Sequence, residues 1–266
     1  MEYIIETSGT TGSAKRVLYT EAALMRQAET DVAELGIDSK DVINVDRWGM
    51  SGLRKVYIGR VSGAKVAFYP GHERQSMREW VIAEGITYLS VLASTFRWLS
   101  GGVYKFPLVK ILEIGGEMVD WDDCRIARER FPNAVLVNRY GTSETNLICR
   151  KIVRREDALG KGRMPVGRPI KGVDLWAGPS ESEPEEIRVC SPYMAEGYYN
   201  DRELTAAKFR DGWLYHTGDL GYWLPNGELM HCGRKDFAGE VREKFDAERY
   251  MHERNMVSAM MGGEVK

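Results

Sequence analysis

Five short apolar runs set apart by helical stretches constrain this chain most: DVINV at 41–45, AKVAFY at 64–69, ITYLSVL at 86–92, VKILEIGG at 109–116 and AVLVNRYG at 134–141. Helical patterns lie near 76–84, 94–100 and 120–131. Alternating strands and helices imply a parallel sheet with helices packed on its faces. In such sheets ligand sites lie at the carboxyl ends of the strands. Ahead of these runs, residues 3–6 read as a short strand entering the loop TSGTTGSAK, with a helix expected over Glu21 to Leu35. That is a strand, a loop and a helix in succession.

The pattern changes at AGPSESEPEE, 177–186, an acidic turn-rich stretch. Beyond it EIRVCS, GWLYHTGD and LGYWLPNGELMHCG read as short strands with tight turns, PNG at 225–227 being a hairpin signal. The expected fold class is therefore α/β: a parallel-sheet layered α/β core over 1–179, then a small β-rich, barrel-like subdomain over 180–235. From Phe237 the composition shifts to a charged, helix-forming tail.

With 43% hydrophobic and 29% charged residues, global disorder is excluded. The formal charge of −2 gives no field that would make nucleic acid or an anionic membrane the main partner. No apolar run approaches the roughly 18 residues of a membrane span, and the N-terminus has neither a basic nor a hydrophobic leader region. Cys124, Cys149, Cys190 and Cys232 are widely spaced without CxxC or histidine partners, as in a reduced protein. Together these place the chain in the cytoplasm as an expectation.

The loop Thr7, Ser8, Gly9, Thr10, Thr11, Gly12 to Lys15 offers convergent backbone N–H groups, hydroxyls and a compact cation, which suit phosphate. It is not a Walker A loop, because Ala14 and Arg16 flank the lysine. A mobile polar turn is the alternative. In NRYGTSETN, 138–146, Tyr140 can stack on a base while Ser143 and Glu144 reach a phosphate and its magnesium; a strand end with turn residues is the alternative. Asp219, within DGWLYHTGDLGYW, can accept from a pair of ribose hydroxyls or be part of a solvated turn. CGRKDF, 232–237, places Arg234 in a sharp turn and is weak in isolation.

Taken in order, Thr7 to Lys15, GGE at 115–117, YGTSE at 140–144, VGRPIKG at 166–172, EGYYNDRELTAAKF at 196–209, YHTGDLG at 215–221 and GRKD at 233–236 resemble the core motifs of the adenylate-forming superfamily. This superfamily comprises acyl-CoA synthetases, luciferases and the adenylation domains of nonribosomal peptide synthetases. The resemblance implies ATP and Mg²⁺ as cofactors and attack of a carboxylate on the α-phosphate, with pyrophosphate leaving and an acyl-adenylate remaining. A thiol of CoA or of a carrier protein is the implied acceptor. By the same resemblance the 7–15 loop, with Lys15, holds the β- and γ-phosphates. Gly115, Gly116 and Glu117, with Asn138, Arg139 and Tyr140, frame the adenine, and Gly141 and Thr142 lead into Ser143 at the α-phosphate. Glu144 is the implied Mg²⁺ ligand, Asp219 holds the ribose hydroxyls with Arg234 beside it, and Asp236 marks the hinge.

The chain departs from the resemblance in three ways. It has six residues ahead of Thr7, where family members carry a long scaffold. No residue takes the role of the family's late catalytic lysine, so 236–266 reads as a vestige of the mobile C-terminal domain. In DRWGMSGL, 46–53, Gly49 stands where a histidine or aromatic often lines the acyl pocket, and Trp48 is expected to fill that space. The segments 46–53, 90–97 and 113–118, with Trp48, Met50, Leu92, Phe96 and Met118, suggest apolar pocket walls, while Asp46 keeps amino acids open as substrates. The expected function is acid activation, weakened by the missing lysine. The alternatives are a non-catalytic ATP or acyl-adenylate binding module and a fragment needing a partner to cover its missing scaffold.

Overall fold

The computed structural model describes residues 1–7, 15–71, 74–210 and 212–235. Three sheets organise them. In chain order the elements of the first part are β1 (Glu2–Thr7), β2 (Lys15–Thr20), α1 (Glu21–Leu35), β3 (Val42–Val45), α2 (Met50–Ser62), β4 (Lys65–Phe68), α3 (Arg74–Ala83), β5 (Tyr88–Leu92), α4 (Ala93–Ser100), β6 (Ile111–Gly115) and α5 (Trp121–Arg130). There follow β7 (Val135–Thr142), β8 (Asn146–Val153), β9 (Arg168–Pro169), β10 (Asp174–Trp176), β11 (Glu185–Cys190), β12 (Gly197–Tyr198), α6 (Arg202–Lys208), β13 (Phe209–Arg210), β14 (Leu214–Trp223) and β15 (Leu229–Arg234).

The seven-stranded sheet runs β4-β3-β5-β6-β7-β8-β9. Its β4-to-β7 part is parallel, as the apolar runs require, and β8 and β9 add to it antiparallel. One face packs into a core containing Leu89, Phe96, Leu112, Ile114 and Phe131. The smaller sheet, β10-β11-β14-β13 with β15 on β14, begins at Asp174, ahead of the acidic stretch. Its β14–β15 hairpin turns at Gly227, whose φ of 76° is the left-handed conformation that PNG supplies.

The third sheet differs from expectation. Lys15–Thr20 is a strand paired antiparallel with Glu2–Thr7, Thr7 opposite Lys15, so a strand, not assigned in the sequence, stands between Lys15 and the helix. Within KRVLYT, Val17 and Tyr19 alternate inward, a period of two that overrides reading the stretch as a loop. Helix α1 spans Glu21–Leu35 as expected and is capped by Thr20, whose Oγ1 accepts from Ala23 N–H at 3.3 Å. The third strand comes from far along the chain: β12 pairs with β2, Tyr198 opposite Val17. Part of the region expected as a separate β subdomain thus joins the N-terminal hairpin, and Ala195, Tyr198, Phe209 and Tyr215 share a core with Val17, Tyr19 and Leu24.

Helix α2 was absent from the sequence reading. Its inward side carries Met50, Tyr57 and Ile58 of the hydrophobic core, but the buried Arg54 and Lys55 and the glycines Gly52 and Gly59 interleave with them and dilute the apolar stripe. The glycines are required by contact: a Cβ at Gly52 would lie 2.2 Å from the Arg47 carbonyl oxygen, and one at Gly59 2.2 Å from Val66. Charge pairing satisfies the rest of that side. Arg54 donates to Glu113 through Nη1 and Nη2 at 2.8 and 2.9 Å and to Asp31 through Nε at 2.7 Å. Arg150 on β8 also pairs with Asp31, and Arg139 Nε lies 3.2 Å from Glu113. Tyr88 and Ser90 hydroxyls donate to Glu113 at 2.9 and 2.6 Å.

Burial pushes the Glu113 carboxyl up, but the guanidiniums of Arg54 and Arg139 and these hydrogen bonds outweigh it and hold the group below the usual glutamate range. Removing one member leaves a buried charge uncompensated. Arg54→Ala is expected to cost about 3 to 5 kcal/mol in urea unfolding at pH 7. The Glu113 share of stability is present above the ordinary glutamate value of 4.5 and fades as pH falls through the depressed folded value, so the variant's deficit narrows in strong acid.

Candidate nucleotide and acid site

Two clusters and a crevice gather most of the residues singled out in the sequence. The first cluster is built on the sharp turn between β7 and β8. Gly141 sits where a Cβ would be 1.9 Å from the Asn146 carbonyl oxygen, and the register slips between Tyr140 and Gly141. Thr142 Oγ1 accepts from the N–H groups of Glu144 and Thr145 at 3.2 and 3.3 Å, and Thr145 Oγ1 accepts from Thr142 N–H at 3.0 Å. These bonds make the turn rigid. From outside, Tyr19 donates to the Ser143 carbonyl at 2.9 Å and Ala195 N–H to the Glu144 carbonyl at 2.8 Å.

The Glu144 carboxylate accepts from the Tyr198 hydroxyl at 2.7 Å through Oε1, and Lys15 Nζ lies 5.9 Å from the centroid of the Tyr198 ring. Burial and the neighbouring Glu144 carboxylate push the Tyr198 hydroxyl far above its ordinary range, so it stays a donor. Lys15 and Glu144 therefore flank a tyrosine that the sequence reading did not assign, while Ser143 is held through its carbonyl by Tyr19. Tyr198 lies in a strand two residues long, and its only signal was the motif EGYYNDRELTAAKF. Ser8, Gly9, Thr10, Thr11 and Gly12 lie outside the described residues, as do Asp236 and the tail. Thr7 is placed by its backbone, opposite Lys15.

The second cluster centres on Asp219. Thr217 Oγ1 donates to the Ile187 carbonyl at 2.8 Å and accepts from Asp219 N–H at 3.0 Å, fixing YHTGD on β14. Across the β14–β15 pair Asp219 stands opposite Arg234, whose Nη1 reaches Oδ1 at 3.1 Å. The Tyr140 hydroxyl donates to Oδ2 at 2.7 Å, and His231 Nε2 lies 3.6 Å from the same oxygen. Tyr140 is buried, and its ring packs on His231 at 5.0 Å between centroids. Burial raises Asp219, but His231, the Tyr140 hydroxyl and Arg234 outweigh it and hold the carboxyl below the ordinary 3.8.

The strand order reverses between β3 and β5, the place where sheets of this kind have their ligand crevice. From β3 the chain passes to β4 on one side and then to β5 on the other, which is the switch point at which α/β sheets take ligands. The segments 46–53, 90–97 and 113–118 meet there. Glu117 accepts from Ser94 N–H and Oγ at 2.6 and 3.1 Å. Gly116 has φ 75°, and a Cβ on it would lie 2.7 Å from Leu92. Asn138 is buried and donates to the Pro165 carbonyl at 3.0 Å.

Two expectations about the acid pocket change. Trp48 is 74% exposed and stacks on Phe68 at 5.5 Å, because β3 has ended and the side chain leaves the sheet; it does not fill the pocket. The walls are not simply apolar either. Phe96 is fully buried against Phe131, whereas Arg139, Lys55 and Asp46 bring charge to the crevice.

This α/β architecture and its clustered site define a class, and comparison places the chain within it. The family model for AMP-binding enzymes matches residues 1–199, and the chain belongs to that family, within the adenylate-forming superfamily. It is 28% identical over 269 residues to zwittermicin A synthase ZmaJ of Bacillus cereus, covering 90% of this chain and 50% of that protein. With tyrocidine synthase 3 of Brevibacillus parabrevis it shares 23% over 264 residues, covering 91% and 4% respectively. It spans half or less of the length of these relatives.

Among solved structures, the O-succinylbenzoate coenzyme A synthetase MenE of Bacillus subtilis, in complex with ATP and magnesium ion, superposes with a TM-score of 0.75 at 22% identity, over 88% of this chain and 50% of that one. The nonribosomal peptide synthetase FmoA3 gives 0.76 at 23%, over 89% and 27%. Among the described residues no helix is long and apolar enough to cross a membrane.

With Asp219 depressed, its contribution to folding is complete above the unfolded value and is lost as pH falls through the lower folded one. The stability gap between the protein and Asp219→Asn, measured by denaturant unfolding, is expected to be present at pH 5. It should close only below the ordinary 3.8.

Proposed function

We propose that the chain activates a carboxylic acid with ATP, forming an acyl-adenylate and releasing pyrophosphate, with a CoA or carrier-protein thiol as the later acceptor. The observation that carries this is the juxtaposition, on one turn, of Glu144 with Tyr198 and Lys15, with Tyr140 on the strand before it bonded to Asp219. Carboxylate, triphosphate and pyrophosphate are all anionic, so the task is neutralisation and positioning rather than proton chemistry. Lys15 supplies a compact cation at the end of the hydroxyl-rich segment of the sequence. Asp219 and Arg234 suit ribose: a carboxylate offers about four accepting positions, and the longest contact, His231 at 3.6 Å, is the one a sugar hydroxyl displaces.

No group of three or more metal-ligating side chains occurs among the described residues. That fits Mg²⁺, which is commonly held by one or two carboxylates together with substrate phosphates. Glu144 is the residue that would hold it, through the oxygen left over from Tyr198. When bound, the ion neutralises phosphate charge. The rigid Thr142–Thr145 turn keeps that carboxylate aimed without reorganisation.

Acid-dependent exchange of labelled pyrophosphate into ATP tests the reading. Glu144→Gln is expected to lower exchange by roughly a hundred- to thousandfold, the usual cost of losing one preorganised electrostatic contact to developing charge, here the magnesium ion that the carboxylate would hold. Lys15→Ala is expected to weaken ATP binding by calorimetry. ATP binding with no exchange for any acid would instead identify a binding module.

A further inference from the structure

The acid side of the crevice carries an arrangement of charge that selects among acids. Asp46, the carboxylate that kept an α-ammonium open as a ligand, is already committed. Lys55 Nζ donates to its Oδ1 at 2.6 Å and to the Ser90 carbonyl at 3.0 Å, and Asn44 Nδ2 donates to the same carboxylate oxygen at 3.2 Å. Lys55 is fully buried, so it cannot swing away into water. An incoming ammonium would meet a neutralised carboxylate with a second ammonium 2.6 Å from it, which is repulsive at low local dielectric. Amino acids are disfavoured by this pairing.

Arg139 is the opposite case, a cation incompletely answered. Both oxygens of Glu113 accept from Arg54, and one also takes Tyr88 and Ser90. Arg139 Nε stands 3.2 Å from that crowded carboxylate but is buried without a well-directed hydrogen bond. The guanidinium has one hydrogen bond among the described residues, from Nη2 to Ser51 Oγ at 3.3 Å. Its side chain runs directly over Gly115, where a Cβ would lie 2.4 Å from Arg139 Cγ, and ends at the first turn of α2, which contains no acidic residue. It therefore spans the crevice from the 113–118 segment to the 46–53 segment, with a planar fork suited to a carboxylate.

We infer that the acid taken at this site bears a second carboxylate and no α-ammonium, with Arg139 as the specificity-determining residue that binds the distal carboxylate. The inference rests on the acid-activating reading above and specifies its substrate class. A monocarboxylic acid would leave the guanidinium's free N–H groups without an acceptor, and an amino acid would add repulsion from Lys55.

The test is calorimetric titration of the full chain, loaded with Mg²⁺ and a non-hydrolysable ATP analogue, with malonate, succinate, glutarate, butyrate and alanine. At least one diacid is expected to bind about tenfold or more tightly than butyrate and alanine, the scale of one charge-assisted contact. Arg139→Ala should erase that preference and Arg139→Lys restore part of it, both melting cooperatively because Arg54 still holds Glu113. Titration with the analogue alone separates the two readings: failure of the wild-type chain to bind it overturns acid activation. If the analogue binds but no diacid does, if alanine or butyrate binds as well as the diacids, or if Arg139→Ala keeps the diacid preference, this inference alone falls.

Discussion

The buried chain of charges from Arg150 through Asp31, Arg54 and Glu113 to Arg139 fixes the relation of α1, α2, β6, β7 and β8. Desolvating such groups costs several kcal/mol each, and well-packed apolar side chains would often do as well for stability alone. What apolar packing would not give is direction. A bidentate guanidinium–carboxylate contact sets distance and orientation together, so α2 can lie in only one register against β6. The crevice at the ends of β3, β5 and β6 inherits its shape from that register, since α2 supplies the wall that carries Ser51 and Lys55.

Most of the sheet was legible in the sequence because strands covered on both sides are apolar without interruption, and ITYLSVL and VKILEIGG leave little else to be. Helix α2 was illegible for a physical reason. Its inner side mixes the core residues Met50, Tyr57 and Ile58 with the buried charges Arg54 and Lys55, so the apolar period is diluted, and MSGLRKVYIGRVS reads as polar and glycine-rich until Asp31 and Glu113 are brought to it by the fold. The first hairpin was misread for a different reason. Residues 16–20 stood unassigned between the loop and the helix, because the two-residue alternation of Val17 and Tyr19 is short and easily passed over.

The site was partly legible in the same sense. Residues in one motif, such as Tyr140 with Glu144 or Thr217 with Asp219, are neighbours in the chain and declare themselves by type. Their partners do not. Tyr198 reaches Glu144 because β12 pairs with β2, and His231 reaches Asp219 because β15 pairs with β14. Both relations depend on strand pairing between distant segments, which no local pattern encodes. The acid pocket misled in another way: Trp48 and Phe96 are apolar residues of the right segments, but one faces solvent and the other the core, so the crevice takes its character from Arg139 and Lys55.

Strand β7 ties the two halves of the site together. Successive residues of a strand point to opposite faces, and here Arg139 turns toward Glu113 and Ser51 while Tyr140 turns toward Asp219 and His231. One peptide unit therefore separates the wall of the acid crevice from the cluster suited to ribose. Immediately afterwards the bulge at Gly141 and the Thr142–Thr145 turn bend the chain so that Glu144 joins Tyr198 and Lys15. A shift of one residue in this strand would exchange the two faces, placing a guanidinium against Asp219 and a phenol against Glu113. The tight approach at Gly115 and Gly141 and the ion pair at Glu113 together forbid that shift. The register that pairs these buried charges is the same one that brings Glu113, Asp219 and Glu144 within reach of a single strand.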